Sequence, residues 1–202
     1  MICFTNVTGL ASSAVALTAA VVMLPGIPRI PKPYRIGLAC AVTIAALVPF
    51  GGLPLAAYVR GVTGDLSIAS LILLLSATLN RLSGWRPFDT QAGFALLFLV
   101  ALAALGLYPL ALGIGYFDPY RLGYGNPWFV SVLLVVALAA CFRQIQAIAL
   151  VIALAVFAWS IGWYESTNLW DYLLDPLLAI YAISALMKRG IQMQRKRQQR
   201  QG

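Results

Sequence analysis

Histidine is absent from this 202-residue chain, and only 10% of its residues are charged. Without histidine the commonest metal ligand and the side chain that titrates nearest neutral pH are both missing. Histidine-activated nucleophiles and histidine proton shuttles are therefore excluded. Cysteine is nearly as scarce: Cys3, Cys40 and Cys141 fall in three separate segments with no CxxC spacing. Neither a disulfide framework nor a zinc site is indicated. The charged fraction lies far below the roughly 25% of an ordinary soluble domain.

What fills the chain instead is apolar: 61% of residues are hydrophobic, and mean hydropathy is +0.87. This composition predicts an all-α integral membrane protein. A hydrocarbon core of about 30 Å needs roughly 20 apolar residues per crossing, and about seven runs approach that length. They cover residues 8–25, 35–57, 66–83, 92–114, 127–142, 144–163 and 167–187, a single transmembrane helical domain over 1–187. The fifth and sixth are separated only by "FRQIQ", but one helix over both would be far too long. The first run has no basic residue before it, the first being Arg29, so it reads as a retained helix rather than a secretion signal. The connector "PGIPRIPKPYR" repeats proline and is expected to be stiff and extended.

The net charge of +8 is unevenly placed, since six of the fourteen Lys and Arg residues lie in the last fifteen. Residues 188–202 read as a basic cytoplasmic tail that contacts anionic lipid rather than nucleic acid. With the N-terminus outside and the C-terminus inside, twelve of the fourteen basic residues fall on inner connectors, leaving only Arg60 and Arg121 outside. Trp128, Trp159, Trp163 and Trp170 then form an outer aromatic belt. Short loops and Ala- and Leu-rich spans point to a multi-pass protein of a cell inner membrane.

The acidic residues segregate in the opposite sense. Asp65, Asp118, Glu165, Asp171 and Asp175 fall at the outer face, and only Asp89 falls inside. The rule that orients basic loops says little about carboxylates, so the bias suggests an outward-facing polar site. Its candidate residues are Arg60, Asp65, Asp118, Tyr120, Arg121, Glu165, Asp171 and Asp175. Asp65 is placed to cap the third helix, and Ser166 or Asn168 to cap the seventh. Asp118 and Arg121 form a local ion pair or an Asx turn. Asp171 and Asp175, four apart, share one helical face and call for a cation, for which Arg60 and Arg121 are the available partners. Asp175 also lies inside an apolar run, where an ionisable group is costly.

Glycine and proline interrupt the outer halves of two helices, at Pro49, Gly51, Gly52 and Pro54 and at Gly106, Pro109, Gly113 and Gly115. Interrupted helices accompany transporter cavities, and also close packing through small residues. "GLASSA" in the first helix reads as small-residue packing. No lysine precedes Lys188 in the last span, which excludes a Schiff base within it.

Three functions follow. The first is a non-enzymatic accessory or scaffold subunit whose outer site holds a partner protein or a lipid head group. The second is a small proton-coupled transporter using Asp171 and Asp175. The third is an enzyme acting on a lipid-linked substrate. No catalytic residue, metal ligand or cofactor site is indicated.

Overall fold

Capping residues and prolines divide the chain more finely than its hydropathy does. The computed structural model describes residues 2–199, with side chains from Thr5 onward; the side chain of Cys3 and residues 200–202 of the tail lie outside the described residues. Helix makes up 76% of the structure, in agreement with an all-α fold. Among the described residues there are nine α-helices: α1 Ile2–Val22, α2 Lys32–Leu47, α3 Leu55–Thr63, α4 Ile68–Ser83, α5 Thr90–Ala111, α6 Pro127–Phe142, α7 Gln146–Ser160, α8 Leu169–Leu173 and α9 Pro176–Gln198. Two of them, within Thr5–Val22 and Thr90–Ala111, are long and apolar enough to cross a membrane.

Several expected spans are cut. The run 35–57 ends at Leu47, and a small antiparallel hairpin, β1 Pro49–Phe50 with β2 Leu53–Pro54, turns through Gly51 and Gly52 before α3 begins. Both glycines have positive φ, the conformation that two-residue hairpin turns require. The run 167–187 is also divided, because Leu174 and Asp175 are extended between α8 and α9. Proline disfavours helix at the residue before it, and Pro176 places Asp175 outside the helix as its cap. The connector before α2 is not simply extended: Ile27–Arg29 forms a 3-10 turn, and α2 starts at Lys32.

Other starts follow ordinary capping chemistry, in which a side-chain oxygen takes up an otherwise unpaired N–H of the first turn. Asp89 caps α5, accepting from Ala92 N at 2.5 Å, and Asn126 caps α6 ahead of Pro127. The cut between α6 and α7 falls at residues 143–145, where Gln144 has a φ of 58°.

Helix α1 packs on α2, α3 and α4, while α5 packs on α7 and α9, and α6 on α7. The principal core joins α5, α7 and α9 through residues such as Leu96, Val100, Val151, Ile152 and Ala182. A second core gathers Phe129, Tyr164, Leu169 and Tyr172 at the end bearing the acidic residues. The "GLASSA" segment is buried at Ser12, Ser13 and Ala14, as small-residue packing requires. Elsewhere many large apolar side chains stay uncovered, among them Leu102 and Leu105 on α5, Val135 and Leu138 on α6, Phe157 on α7 and Ile180 on α9.

Candidate functional site

The acidic end is built on one buried carboxylate. Asp175, 5% exposed, accepts from Ser67 N at 3.0 Å, Ser67 Oγ at 2.8 Å, Leu178 N at 2.8 Å and the Ser70 hydroxyl. Three of the four bonds fall on Oδ2 and one on Oδ1, so Oδ2 is filled and the carboxylate as a whole is largely occupied. Ser67, not Asp65, caps α4 by accepting from Ser70 N at 3.1 Å. The starts of α4 and α9 thus meet on a single anion, and the positive ends of two helix dipoles stand in for a cation. Arg60 and Arg121 are not its partners.

Asp171 is held separately. Tyr120 donates its hydroxyl across both carboxylate oxygens at 3.0 Å, and Ser166 Oγ donates at 2.5 Å. Because Asp171 lies in α8 and Asp175 beyond the break, the two do not share a helical face as expected. Burial, and after it the charge of Asp171, pushes the Tyr120 hydroxyl well above its ordinary pKa.

The same contacts clamp the 115–126 connector onto α8. Asn168 caps α8 and donates Nδ2 to Tyr120 O at 3.0 Å, and Trp170 Nε1 donates to Pro119 O at 3.0 Å. Gly123 lies so close to Asn168 and Trp170 that any Cβ there would overlap them. Asp118 makes an Asx turn, accepting from Tyr120 N at 2.9 Å, rather than an ion pair with Arg121. Arg121 is exposed, and among the described residues its guanidinium has no ion-pair partner. Beneath the clamp, the fully buried Tyr172 accepts from Tyr164 N at 3.1 Å and donates to Ser166 O at 3.0 Å.

Arg60 ties α3 to α1 and to the 161–168 segment. Its Nε donates to Asp65 Oδ1 at 2.6 Å and its Nη2 to Asp65 Oδ2 at 3.0 Å, a two-point pairing, while Nη1 reaches Asn6 Oδ1 at 3.0 Å. Gly9 leaves room for this pair, since a Cβ there would collide with the guanidinium and with Asp65. Glu165 Oε1 stands 3.6 Å from Arg60 Nη2, and the Thr8 hydroxyl donates to Trp163 O.

Beside this pair opens a cleft of about 610 Å³ lined by Thr5, Trp159, Ser160, Gly162, Tyr164, Glu165, Ser166 and Thr167. Glu165 is 62% exposed. Trp159 Nε1 donates to Thr167 O at 2.8 Å, fixing one wall. The Tyr164 hydroxyl is buried without a well-formed hydrogen bond, and burial pushes its pKa up to about 12, with nearby Ser12 pulling the other way.

The eight sequence candidates therefore meet at one end but divide by use. Asp65, Asp171 and Asp175 are occupied by protein donors, Asp118 forms a turn, Tyr120 serves Asp171, and Arg60 serves Asp65. Glu165 and Arg121 have exposed side chains. Sequence reasoning did not find Ser67, Ser70 and Tyr172; a serine opening the apolar run at 68 was the available signal for the first. Among the described residues no three Cys, Asp or Glu side chains come together to hold a metal ion. At the opposite end Arg35 Nη1 donates to Arg81 O at 2.5 Å, and Arg189 stacks 3.7 Å over the Phe94 ring. No family model, curated protein or solved structure matches this chain.

Proposed function

We propose that the chain is a multi-pass inner-membrane protein of seven spans, N-terminus outside, that acts as a non-enzymatic accessory or scaffold subunit. On this reading α2 and α3 with their hairpin, and α8 with α9, each make one broken span. The acidic end faces outward and holds a partner protein or a lipid head group. The uncovered apolar side chains on α5, α6, α7 and α9 support membrane immersion, because such surface on a soluble monomer would be an unusually large patch.

One observation carries the functional reading: the carboxylates of Asp175 and Asp171 are already engaged by protein donors, while Arg121 and Glu165 remain exposed. A coupling or catalytic acid needs capacity to exchange a proton or ligand, and Asp175 with four donors has little left. Around Arg121 the connector exposes Tyr116, Phe117 and Tyr124, and the start of α6 exposes Trp128. Aromatic and arginine side chains are the types enriched at interfaces. The test is mass spectrometry of the full-length protein released gently from its native membrane. A stoichiometric partner or lipid is expected on the wild type and is lost on Arg121→Ala; unchanged retention would refute the reading.

The broken helices meeting at Asp175 favour a second reading, proton-coupled transport. Uptake by proteoliposomes that vanishes in Asp175→Asn, with the fold intact, would establish it.

A further inference from the structure

We infer that the cleft beside Glu165 is a receptor for an alkylammonium group, the head of an aminophospholipid at the outer membrane surface. The inference rests on the outward-site reading above and names its ligand chemistry. Among the described residues, the side chains lining the cleft supply one carboxylate, the hydroxyls of Thr5, Ser160, Ser166 and Thr167, and the Trp159 indole, but no lysine, arginine, asparagine or glutamine. An anion entering it would find no cation among those lining side chains, whereas an ammonium with three N–H donors would meet acceptor oxygens and an aromatic ring. The one nearby guanidinium is paired at two points with Asp65 and stands 3.6 Å from Glu165. It therefore leaves the Glu165 carboxylate open to a second cation.

The surroundings carry the same sign. Among the described residues, Asp65, Asp118, Glu165, Asp171 and Asp175 lie at this end with Arg60 and Arg121 as its basic side chains, in a chain whose net charge is +8. A cleft lined by one sign of charge concentrates ligands of the other. At about 610 Å³ it is far larger than a bare ion and falls within the usual size range of small-molecule pockets. A lone dehydrated metal ion would also lack ligands there, since only one carboxylate lines it.

The test uses the full-length protein in nanodiscs of phosphatidylglycerol alone or mixed equally with phosphatidylethanolamine, with retained lipid read by native mass spectrometry. Wild-type protein is expected to retain phosphatidylethanolamine in preference to phosphatidylglycerol. Glu165→Gln is expected to reduce that preference on the order of tenfold, the effect of one charge-assisted hydrogen bond. Glu165→Lys, which puts an ammonium of the protein's own at the cleft, should abolish it. Unfolding temperatures matching the wild type show that neither variant acts through the fold. Soluble ethanolamine is the second probe: competition by ethanolamine but not by N-acetylethanolamine supports ammonium recognition. Ethanolamine protecting the protein with no lipid preference would overturn the lipid source and assign a free amine. Equal retention of both lipids with no ethanolamine effect, or a preference unchanged in both variants, would overturn the inference. A partner still lost on Arg121→Ala in that case would leave the outward-site reading standing.

Discussion

Asp175 and Glu165 lie at the same end of the molecule and have opposite surroundings. Asp175 is 5% exposed and receives four hydrogen bonds from two helix starts, whereas Glu165 is 62% exposed with one contact at 3.6 Å. The contrast teaches that depth alone does not mark a functional acid. A carboxylate inside an apolar run invites a catalytic or coupling role, but two helix ends and two serine hydroxyls turn it into a joint. The acid with open acceptor capacity is the shallow one.

The largest effect should come from the joint. Asp175→Ala leaves Ser67 N, Leu178 N and two hydroxyls without their acceptor, and a loss of roughly 3 kcal/mol or more is expected. Thermal unfolding in detergent would measure it, and a cycle with Ser70→Ala should show strong coupling. A loss under about 0.5 kcal/mol, the range of ordinary surface changes, would break the comparison by making Asp175 as dispensable as Glu165.

The clamp comes next. Gly123→Ala forces Asn168 and Trp170 aside, at an expected cost of about 1–3 kcal/mol, and limited proteolysis should then cut within 115–126 faster than in the wild type. Unchanged cleavage would mean that the connector is held elsewhere. Arg60→Met, which strips Asp65 of a two-point partner at a half-wet site, is expected to cost about 1–2 kcal/mol. A matching loss in Asp65→Asn, with little added in the double variant, would identify the pair as the source.

These sites differ in how much of each was legible in the chain. The pair Asp175-Pro176 before an apolar run is a local capping signature, so the break between α8 and α9 could have been read there. What fills the carboxylate could not, because Ser67 is 108 positions away. Asp65 and Ser67 both stood where a cap of α4 was needed, and Arg60 in the last turn of α3 takes Asp65 into a two-point pairing. The 127–142 helix was legible to the residue because Asn126 and Pro127 define its start locally. Charge placement grouped the seven charged candidates at one end, and Tyr120 came with the connector that carries Asp118 and Arg121, but their division into occupied and open groups depended on tertiary contacts.

The smallest effect is spectroscopic. Tyr164 is held up to about 12 by burial, and Tyr120 is raised by burial and Asp171. A folded pKa above the ordinary value of about 10 gives stability that is complete below pH 10 and is lost as pH rises through the folded value. Titration followed by tyrosinate absorbance should therefore leave a part of the nine tyrosines unionised at about pH 11 in folded protein. Tyr120→Phe and Tyr164→Phe should each reduce that protected fraction. Full ionisation there would mean that this end is open to water, erasing the difference between its buried and shallow acids.

The short helices carry a consequence for the surrounding bilayer. Helices α4 and α6 have 16 residues and α7 has 15, so at about 1.5 Å per residue each reaches roughly 24 Å. Set in the membrane as proposed, they fall short of a hydrocarbon layer of about 30 Å, and lipid tails beside them must shorten or tilt to meet them. The protein would impose a thin annulus on its neighbours and sort toward thinner membrane, a mechanical influence that depends on helix length and on none of its charges.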